Sequence, residues 1–364
     1  MKRFFLMLAT IAFGNAAFAQ HVPVPPQYAT VKPDAPLAPA IPALPLAQAA
    51  AALPDLPALP AVPAMPQTVT IQNYNLQDDA ADEGLSKTFS KTFAAGASDK
   101  ISVNNQFGSI TVKTWDRKEV KADVTISAYS NNADEQRKLL DGASIDADKS
   151  GDQISFKTNI NTNRNGNWGN GTRNGKKWRR EVRVNYVIYV PNMNALTLSQ
   201  QYGNIEMSSF GGPVNAKVQY GNFNAERLNN SNNNLTVQYG KMTVQNLNKA
   251  NLKQQYGGGI TLGTARDINV NAQYSNVNIE RLIGDADLNV QYNKVRINQV
   301  AESSKVLNIS AQYGGVDLGF SDSYKGRMDV KTIYGSFKFG NGVSAKVEGV
   351  EDDRHPSFSK SYTG

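Results

Sequence analysis

The chain has 364 residues, a formal net charge of +7, 40% hydrophobic residues and 19% charged residues. It contains no cysteine, which excludes disulfides, thiolate catalysis, cysteine–zinc sites and a lipoprotein anchor, and its two histidines argue against a histidine-centred metal site or catalytic triad. Asn, Gly, Ser and Thr are abundant, and since they are poor inside helices, the composition disfavours a helix-rich fold.

Residues 1–19 have the pattern of a secretory signal peptide. Two basic residues precede an apolar run, Phe4–Phe13, which is too short to span a bilayer as a helix. The segment ends in Ala-Phe-Ala, which predicts cleavage before Gln20. We therefore expect an exported protein of a Gram-negative cell envelope, without a transmembrane segment after cleavage. Its location is the periplasm, the outer-membrane surface or the extracellular space.

Residues 20–84 form a Pro- and Ala-rich linker. Of the chain's 16 prolines, 13 lie between Pro23 and Pro66. Each proline fixes φ and removes a backbone donor, so residues 21–67 are expected to form neither a sheet nor a long helix. We expect an extended, polyproline-like spacer that holds a folded domain away from a surface, with a disordered tail as the alternative. Its Pro-x-x-Pro patterns follow from the density of proline and identify no partner.

Residues 85–190 predict a less regular, β-rich part with one short helix, Ala133–Leu140. Asn131 or Asn132 is placed to cap this helix. Because the ends of a stacked β-structure must be covered, we expect this part to begin the stack and to cap its N-terminal end.

A basic loop, residues 161–181, interrupts this part. The stretch from Arg164 to Arg183 holds seven basic residues against Glu181 alone. Its Gly- and Asn-rich middle predicts a mobile loop, and its cations and tryptophans suit acidic polysaccharide or lipopolysaccharide phosphates. Nucleic acid is not an expected partner of an exported protein, and a solvated insertion is the alternative interpretation. The candidate ligand-binding residues are Arg164, Trp168, Arg173, Lys176, Lys177, Trp178, Arg179 and Arg180. We expect that neutralising four of these cations together abolishes retention on heparin or lipopolysaccharide and leaves the melting temperature nearly unchanged. The four are Lys176, Lys177, Arg179 and Arg180.

Residues 191–350 repeat a phrase that most often reads Gln-Tyr-Gly, at spacings of 17–21 residues, and an earlier relative is centred on Phe107. Apolar and polar residues alternate with period two, which indicates strands, and Gly-Asn pairs indicate corners. Each unit is too short to bury its apolar face alone, so stacking is required. The sequence thus predicts an all-β, right-handed parallel β-solenoid. The repeated tyrosines are Tyr202, Tyr220, Tyr239, Tyr256, Tyr274, Tyr292, Tyr313 and Tyr334.

The alternation predicts two ladders along the solenoid. The tyrosines share their phase with inward Val and Ala residues, so an internal aromatic stack is expected. Replacing Tyr256 with Ala is expected to leave a cavity that costs about 3–5 kcal/mol. The preceding glutamines are expected to face outward and to hydrogen-bond along the rod, so Gln255→Ala is expected to cost far less.

The segment Phe93–Val124 resembles the opening of the bacterial exported "putative adhesin" β-helix family, which is common in Bacteroidetes. The resemblance is carried by Ile-Ser-Val from Ile101, by Gly-Ser-Ile-Thr-Val-Lys-Thr-Trp-Asp-Arg from Gly108 and by Val-Lys-Ala-Asp-Val from Val120. The Tyr-Gly coils are similar to the family's body, so the resemblance covers roughly residues 88–350. It implies a parallel β-helix domain of unknown function in the cell envelope, and it brings no catalytic residues.

The acidic residues predict no catalytic site, because those at equal offsets from the repeat tyrosine do not lie on adjacent coils. Glu226 and Glu280, for example, are three coils apart. We therefore expect a non-enzymatic structural or adhesin-like binding module with no metal, cofactor or catalytic residue. The alternatives are a polysaccharide-active β-helix enzyme and a curli-like amyloid subunit, and the oligomeric state is not predicted.

The C-terminal tail, residues 351–364, ends in Ser-Tyr-Thr-Gly, which repeats the Ser-Tyr-Lys-Gly that precedes the coil of Tyr334. This repetition suggests a truncated final coil. We therefore expect the tail to be poorly ordered and to make few contacts with the solenoid.

Overall fold

The structure is a computed structural model. It describes residues 2–6, 70–72, 84–161, 168–173, 175–348 and 359–364. The predicted cleavage site and most of the predicted linker, residues 20–84, lie outside the described residues.

The described residues form 28 strands and one helix, α1 (Ala133–Asp141). The strands are β1 (Lys2–Leu6), β2 (Thr70–Gln72), β3 (Leu85–Ala94), β4 (Lys100–Gln106), β5 (Gly108–Trp115), β6 (Glu119–Ser130), β7 (Ala143–Ser150), β8 (Gln153–Ile160), β9 (Gly169–Arg173), β10 (Lys176–Pro191), β11 (Ala195–Gln201), β12 (Ile205–Met207), β13 (Val214–Gln219), β14 (Phe223–Leu228), β15 (Asn233–Gln238), β16 (Lys241–Leu247), β17 (Ala250–Gln255), β18 (Gly259–Ala265), β19 (Ile268–Gln273), β20 (Val277–Leu282), β21 (Ala286–Gln291), β22 (Val295–Val300), β23 (Leu307–Gln312), β24 (Val316–Phe320), β25 (Asp329–Ile333), β26 (Phe337–Lys338), β27 (Lys346–Glu348) and β28 (Ser359–Thr363).

Two parallel sheets face each other and form the solenoid. Sheet 1 stacks β5, β12, β14, β16, β18, β20, β22 and β24, and sheet 2 stacks β4, β11, β13, β15, β17, β19, β21 and β23. Each coil contributes one strand to each sheet, so seven coils follow the first pair, β4 and β5. The register is even: Ala216 pairs with Leu198 in the preceding coil and with Leu235 in the next. The predicted parallel β-solenoid is confirmed.

The core lies between the two sheets and follows the alternation of the sequence. In β13, Val214, Ala216 and Val218 are buried, whereas the intervening residues, Asn215 and Lys217, are exposed. The phase then changes at the corner, as predicted, and β14 buries its first and third residues. Burial of one apolar face per strand supplies the stabilisation that no single coil has alone.

The N-terminal part extends both sheets. Strand β10 pairs parallel with β5 and antiparallel with β6, so the first edge of sheet 1 is covered. Helix α1 is confirmed with its cap: the Asn132 side chain accepts a hydrogen bond from the Glu135 amide at 2.9 Å. The helix is anchored on β6 by Gln136, whose side-chain amide donates to the Ala128 carbonyl at 3.1 Å.

The C-terminal end differs from the expectation. Strand β25 leaves the parallel stack and pairs antiparallel with β28, so Tyr334, which follows β25, does not continue the column of repeat tyrosines. The prediction that the tail makes few contacts is wrong for its last residues, because β28 also pairs with β27 and the ring of Tyr362 lies 5.1 Å from that of Phe337. The backbone N–H and C=O groups of β25 are hydrogen-bonded by this antiparallel pairing instead of by the parallel coil that we expected. Residues 351–358 lie outside the described residues.

Strand β1 pairs antiparallel with β24 and β26. It lies within the predicted signal peptide, so the predicted cleavage would remove it from the mature chain.

Candidate functional site

The basic loop is in part a β-hairpin. Strand β9 pairs antiparallel with the start of β10, with Arg173 opposite Lys176 and Gly169 opposite Arg180. The expectation of a mobile loop is therefore wrong for these strands. The reason is that β10 is a 16-residue strand whose later part is fixed in sheet 1, so its first residues continue in an extended conformation to which β9 pairs. We call Gly169–Arg173 with Lys176–Arg180 the basic hairpin; Arg164 and the side chain of Arg173 lie outside the described residues.

Arg180 is held by the protein itself. Its guanidinium carbon lies 4.7 Å from the centre of the Trp168 ring, and its Nε donates to Glu135 Oε1 at 2.7 Å. The side chain is 13% exposed, so little of it is left for a ligand. Glu135 also accepts a hydrogen bond from the Ser130 hydroxyl at 2.7 Å, and these partners, the hydroxyl first, lower the pKa of Glu135. The sequence separates Arg180 from Glu135 by 45 residues, so sequence reasoning could not pair them.

Arg179 is similarly engaged. Its guanidinium carbon lies 3.5 Å from the centre of the Tyr129 ring, and its Nε donates to Glu181 Oε2 at 3.1 Å. Glu181 also accepts a hydrogen bond from Arg183, and this bond raises the pKa of Arg183. One carboxylate thus faces two guanidinium groups beside one aromatic ring. Arg179 and Arg180 therefore stabilise the hairpin rather than extend into solvent.

The remaining cations described in the hairpin are exposed. Lys176 and Lys177 are both exposed at its tip, next to the half-buried Trp178. The Trp178 indole covers Gly171 of the opposite strand, where an added Cβ would lie 3.0 Å from Nε1. The structure thus divides the candidates that it describes. It leaves the two lysines accessible, buries most of two arginines, and places Trp168, which also contacts Arg180, at the end of a second surface.

That surface is a column of stacked rings along one corner of the solenoid, which we call the tyrosine ladder. Neighbouring tyrosine rings in the ladder are 4.6–5.5 Å apart and inclined by 2–14°. Phe107 continues the column below Tyr202 at 5.1 Å, and Trp168 stacks on Phe107 at 6.1 Å. The ladder consists of Trp168, Phe107, Tyr202, Tyr220, Tyr239, Tyr256, Tyr274, Tyr292 and Tyr313.

The predicted stack therefore exists, but its predicted position in the interior is wrong. From Tyr220 to Tyr313 the tyrosines are 39–67% exposed. Each has a positive φ, between 50° and 59° from Phe107 to Tyr313, which is a left-handed conformation that turns the side chain out of the strand's alternation. The following glycine is required by the close approach of the coils, since an added Cβ at Gly221 would lie 1.8 Å from the Gly203 carbonyl oxygen.

The outward glutamine ladder is confirmed. The Gln238 Nε2 group donates to Gln255 Oε1 at 2.8 Å, and Gln255 Nε2 donates to Gln273 Oε1 at 2.9 Å. Similar bonds join Gln106 to Gln201 at 3.2 Å. These amides, which are half-exposed from Gln201 onward and exposed at Gln106, flank the tyrosine ladder on the side of sheet 2.

The outer face of sheet 1 carries a shallow groove of about 500 Å³ across β16, β18, β20 and β22. Its one carboxylate, Glu280, accepts a hydrogen bond from Asn298 at 2.5 Å. Arg296 is the other charged residue of the lining, and the remaining lining residues are neutral. The described residues contain no group of three or more His, Asp or Glu placed to hold a metal ion. The groove therefore offers no convergent pair of carboxylates for acid–base chemistry.

Within the described ranges, no helix is both long and apolar enough to cross a membrane.

Comparison with known proteins identifies the family. The sequence profile of the Toastrack DUF4097 family matches residues 98–362, and the chain belongs to this family. The assignment suggested by the segment Phe93–Val124 is thereby confirmed. No curated protein matches the sequence.

Two solved structures are similar over much of the chain. One is a "putative cell adhesion protein" from Clostridium sporogenes ATCC 15579, with a TM-score of 0.25 and 11% identity, covering 64% of this chain and 98% of that one. The other is a "putative adhesin" from Bacteroides fragilis NCTC 9343, with a TM-score of 0.23 and 14% identity, covering 62% of this chain and 94% of that one. Neither similarity is close enough to carry an argument about function.

Proposed function

We propose that this Toastrack DUF4097 protein is an exported, non-enzymatic binding module of the cell envelope whose basic hairpin contacts polyanions. The ligands are acidic polysaccharide or lipopolysaccharide phosphates. The observation that carries the proposal is the pair of exposed lysines, Lys176 and Lys177, beside Trp178 on a hairpin whose two strands are paired.

Charge and strand pairing support this assignment. The stretch from Arg164 to Arg183 carries seven basic residues against one acidic residue, so most of the chain's excess positive charge is in one place. Ion pairing with Glu135 and Glu181 reduces the number of cations that face solvent, which predicts a moderate rather than a steep salt dependence. Because β9 and β10 are paired, the lysines are presented with little conformational entropy to lose on binding.

Export is supported by the sequence of residues 1–19, and a role outside catalysis is supported by the groove on sheet 1, which contains a single carboxylate, Glu280. A solenoid also suits a binding module physically. Its coils repeat a single geometry, so they form a rigid scaffold on which a hairpin can be displayed.

The test is retention of the full-length mature chain on immobilised heparin and lipopolysaccharide. Lys176→Gln with Lys177→Gln should abolish most of the salt-sensitive retention and leave the melting temperature unchanged, because both side chains are exposed. The matched control is Lys217→Gln with Lys253→Gln, which removes two exposed lysines from the outer face of sheet 2. Equal retention of both variants would refute the proposal, because it would mean that binding follows net charge rather than the hairpin.

A further inference from the structure

We propose that the tyrosine ladder is the contact surface of a dimer, in which a second copy of this chain packs its own ladder against the first in the antiparallel direction. The inference does not depend on the function assigned to the basic hairpin. It rests on the exposed area of the ladder, on the absence of charge along it and on a geometry that is complementary to itself.

The exposed part of the ladder is one contiguous patch. Its six tyrosines from Tyr220 to Tyr313 are on average about half exposed, and neighbouring rings are 4.6–5.5 Å apart. At about 200 Å² for a whole aromatic side chain, they present about 600 Å² together. That is the upper end for the largest apolar patch of a typical monomer, and such patches mark interaction surfaces. A standard interface takes about 800 Å² from each partner, and the half-exposed glutamines beside the rings supply the difference.

No charged residue interrupts this patch. From Tyr202 to Tyr313, the residue before each ladder tyrosine is Gln, and the residue after it is Gly, Ser or Asn. The centre of a protein–protein interface is likewise depleted of charge and enriched in tyrosine. An ionic ligand would require opposite charge within the strip, and a sugar would require open ring faces, which the rings inside the ladder cover for one another. The strip therefore favours another protein surface.

A second ladder is the surface whose spacing must match. It repeats the same interval between rings over the same length, so each tyrosine edge meets an equivalent edge along the whole contact. The accessible polar groups also pair with their own kind, because a phenol hydroxyl both donates and accepts a hydrogen bond. Contacts in which one patch meets itself across a two-fold axis are the commonest in soluble oligomers.

The basic hairpin determines the direction of the second ladder. Trp168 joins the hairpin to the first end of the ladder, since its ring lies 6.1 Å from Phe107 and 4.7 Å from the Arg180 guanidinium carbon. Parallel ladders would bring both basic hairpins to the same end of the dimer, and like charges close together at an interface are strongly unfavourable. Antiparallel ladders place the hairpins at opposite ends. The two-fold axis then passes between Tyr256 and Tyr274, the middle pair of the exposed rings.

The first experiment measures the mass of the full-length mature chain by sedimentation equilibrium, where we expect a monomer–dimer equilibrium. Gln255→Lys with Gln273→Lys places two neighbouring cations beside the central tyrosines of each copy. This variant should raise the dissociation constant of the dimer at least tenfold, because like charges would meet across the contact. The matched control is Asn251→Lys with Asn269→Lys, which adds the same charge to the same two strands, four residues away from the glutamines. It should leave the dissociation constant nearly unchanged.

The possible results are distinct. A mass that stays monomeric up to the solubility limit would overturn the proposal, and so would species that grow beyond a dimer or an equal loss of dimer in both variants. Salt separates this proposal from the one on the hairpin. Lys241 and Lys294 are exposed at the rim of the strip and repel the lysines of a second copy, so added salt should tighten the dimer, whereas it weakens retention on polyanions.

The direction of the ladders is tested with spin labels, for which the cysteine-free chain is well suited. Lys217→Cys and Asn271→Cys, both on the outer face of sheet 2, are labelled singly, and pulsed EPR measures the distance between the two copies. In the antiparallel dimer, the coil of Tyr220 lies beside the partner's coil of Tyr313, so labels at position 217 are offset by five coils, about 24 Å, along the ladder. Labels at position 271, in the coil of Tyr274, lie close to the two-fold axis and should give a clearly shorter distance. Equal distances at the two positions would overturn the antiparallel arrangement.

Discussion

The exposure of the tyrosine ladder can be tested at Tyr256. Its ring is 48% exposed and stacks with Tyr239 at 5.5 Å and Tyr274 at 5.1 Å. Truncation to Ala removes two ring contacts, each contributing about 0.5–1.5 kcal/mol, and leaves no sealed cavity. We expect Tyr256→Ala to lower the free energy of unfolding by about 1–3 kcal/mol. Leu252→Ala, in the same coil but 2% exposed, should cost about 2–5 kcal/mol.

The backbone gives a sharper criterion. Tyr256 has a φ of 50°, which Asn tolerates better than Ala. Tyr256→Asn should therefore be less destabilising than Tyr256→Ala, by about 0.5–1 kcal/mol. Urea unfolding of the full-length mature chain, followed by circular dichroism, measures all three variants. Our reasoning would be refuted if Asn were worse than Ala, as expected for a polar group in a core, or if Tyr256→Ala cost as much as Leu252→Ala.

Two further predictions follow from buried groups. Arg180→Gln should lower the free energy of unfolding by about 1–2 kcal/mol, because it removes a charged hydrogen bond to Glu135 and a contact with Trp168. An unchanged melting temperature would mean that Arg180 is not held by these contacts and is available to bind a ligand. Burial raises the pKa of Tyr186, whose hydroxyl lies 2.9 Å from that of Thr158. The unfolded chain therefore loses this proton first, so stability should be constant below about pH 10 and fall at higher pH. In urea unfolding at pH 8 to 11.5, Tyr186→Phe should flatten that fall, and an equally steep fall in the variant would contradict the assignment.

The strands and the core could be predicted because period-two alternation is a local property of the sequence. Val214, Ala216 and Val218 are buried as the pattern requires. The same pattern predicted a buried side chain at Tyr220, two residues after Val218, and this was wrong. Alternation of apolar and polar residues does not reveal that φ becomes positive at Tyr220. The glycine that follows was the available signal, since a Tyr-Gly pair at six of the eight repeat tyrosines indicates a tight turn as well as the end of a strand.

The candidate site was less predictable than the fold, because contacts between residues far apart in the sequence decide which of its charged side chains are exposed. Glu135 lies on α1 and Arg180 on β10, and only the packing of the helix beside the hairpin brings them together. Likewise, the tail sequence Ser-Tyr-Thr-Gly resembles the start of a coil, but Val330 lies opposite Tyr362 in an antiparallel pair. Short phrases in a repeat protein therefore indicate that a strand forms, not the direction in which it pairs.

The backbone strain of the ladder residues is relevant to the function of the ladder. From Phe107 to Tyr313, every ladder residue on the corner is non-glycine in the left-handed region, which costs about 1 kcal/mol each relative to Gly or Asn. Each stacked pair of rings stabilises the fold by about 1 kcal/mol, which offsets the cost of the backbone conformation, so the rings have little net effect on stability. A corner made of Gly or Asn would turn the chain equally well without any ring. Aromatic residues that break a local rule without a net gain in stability are expected at functional surfaces, so a ligand is better sought along this ladder than in the shallow groove of sheet 1.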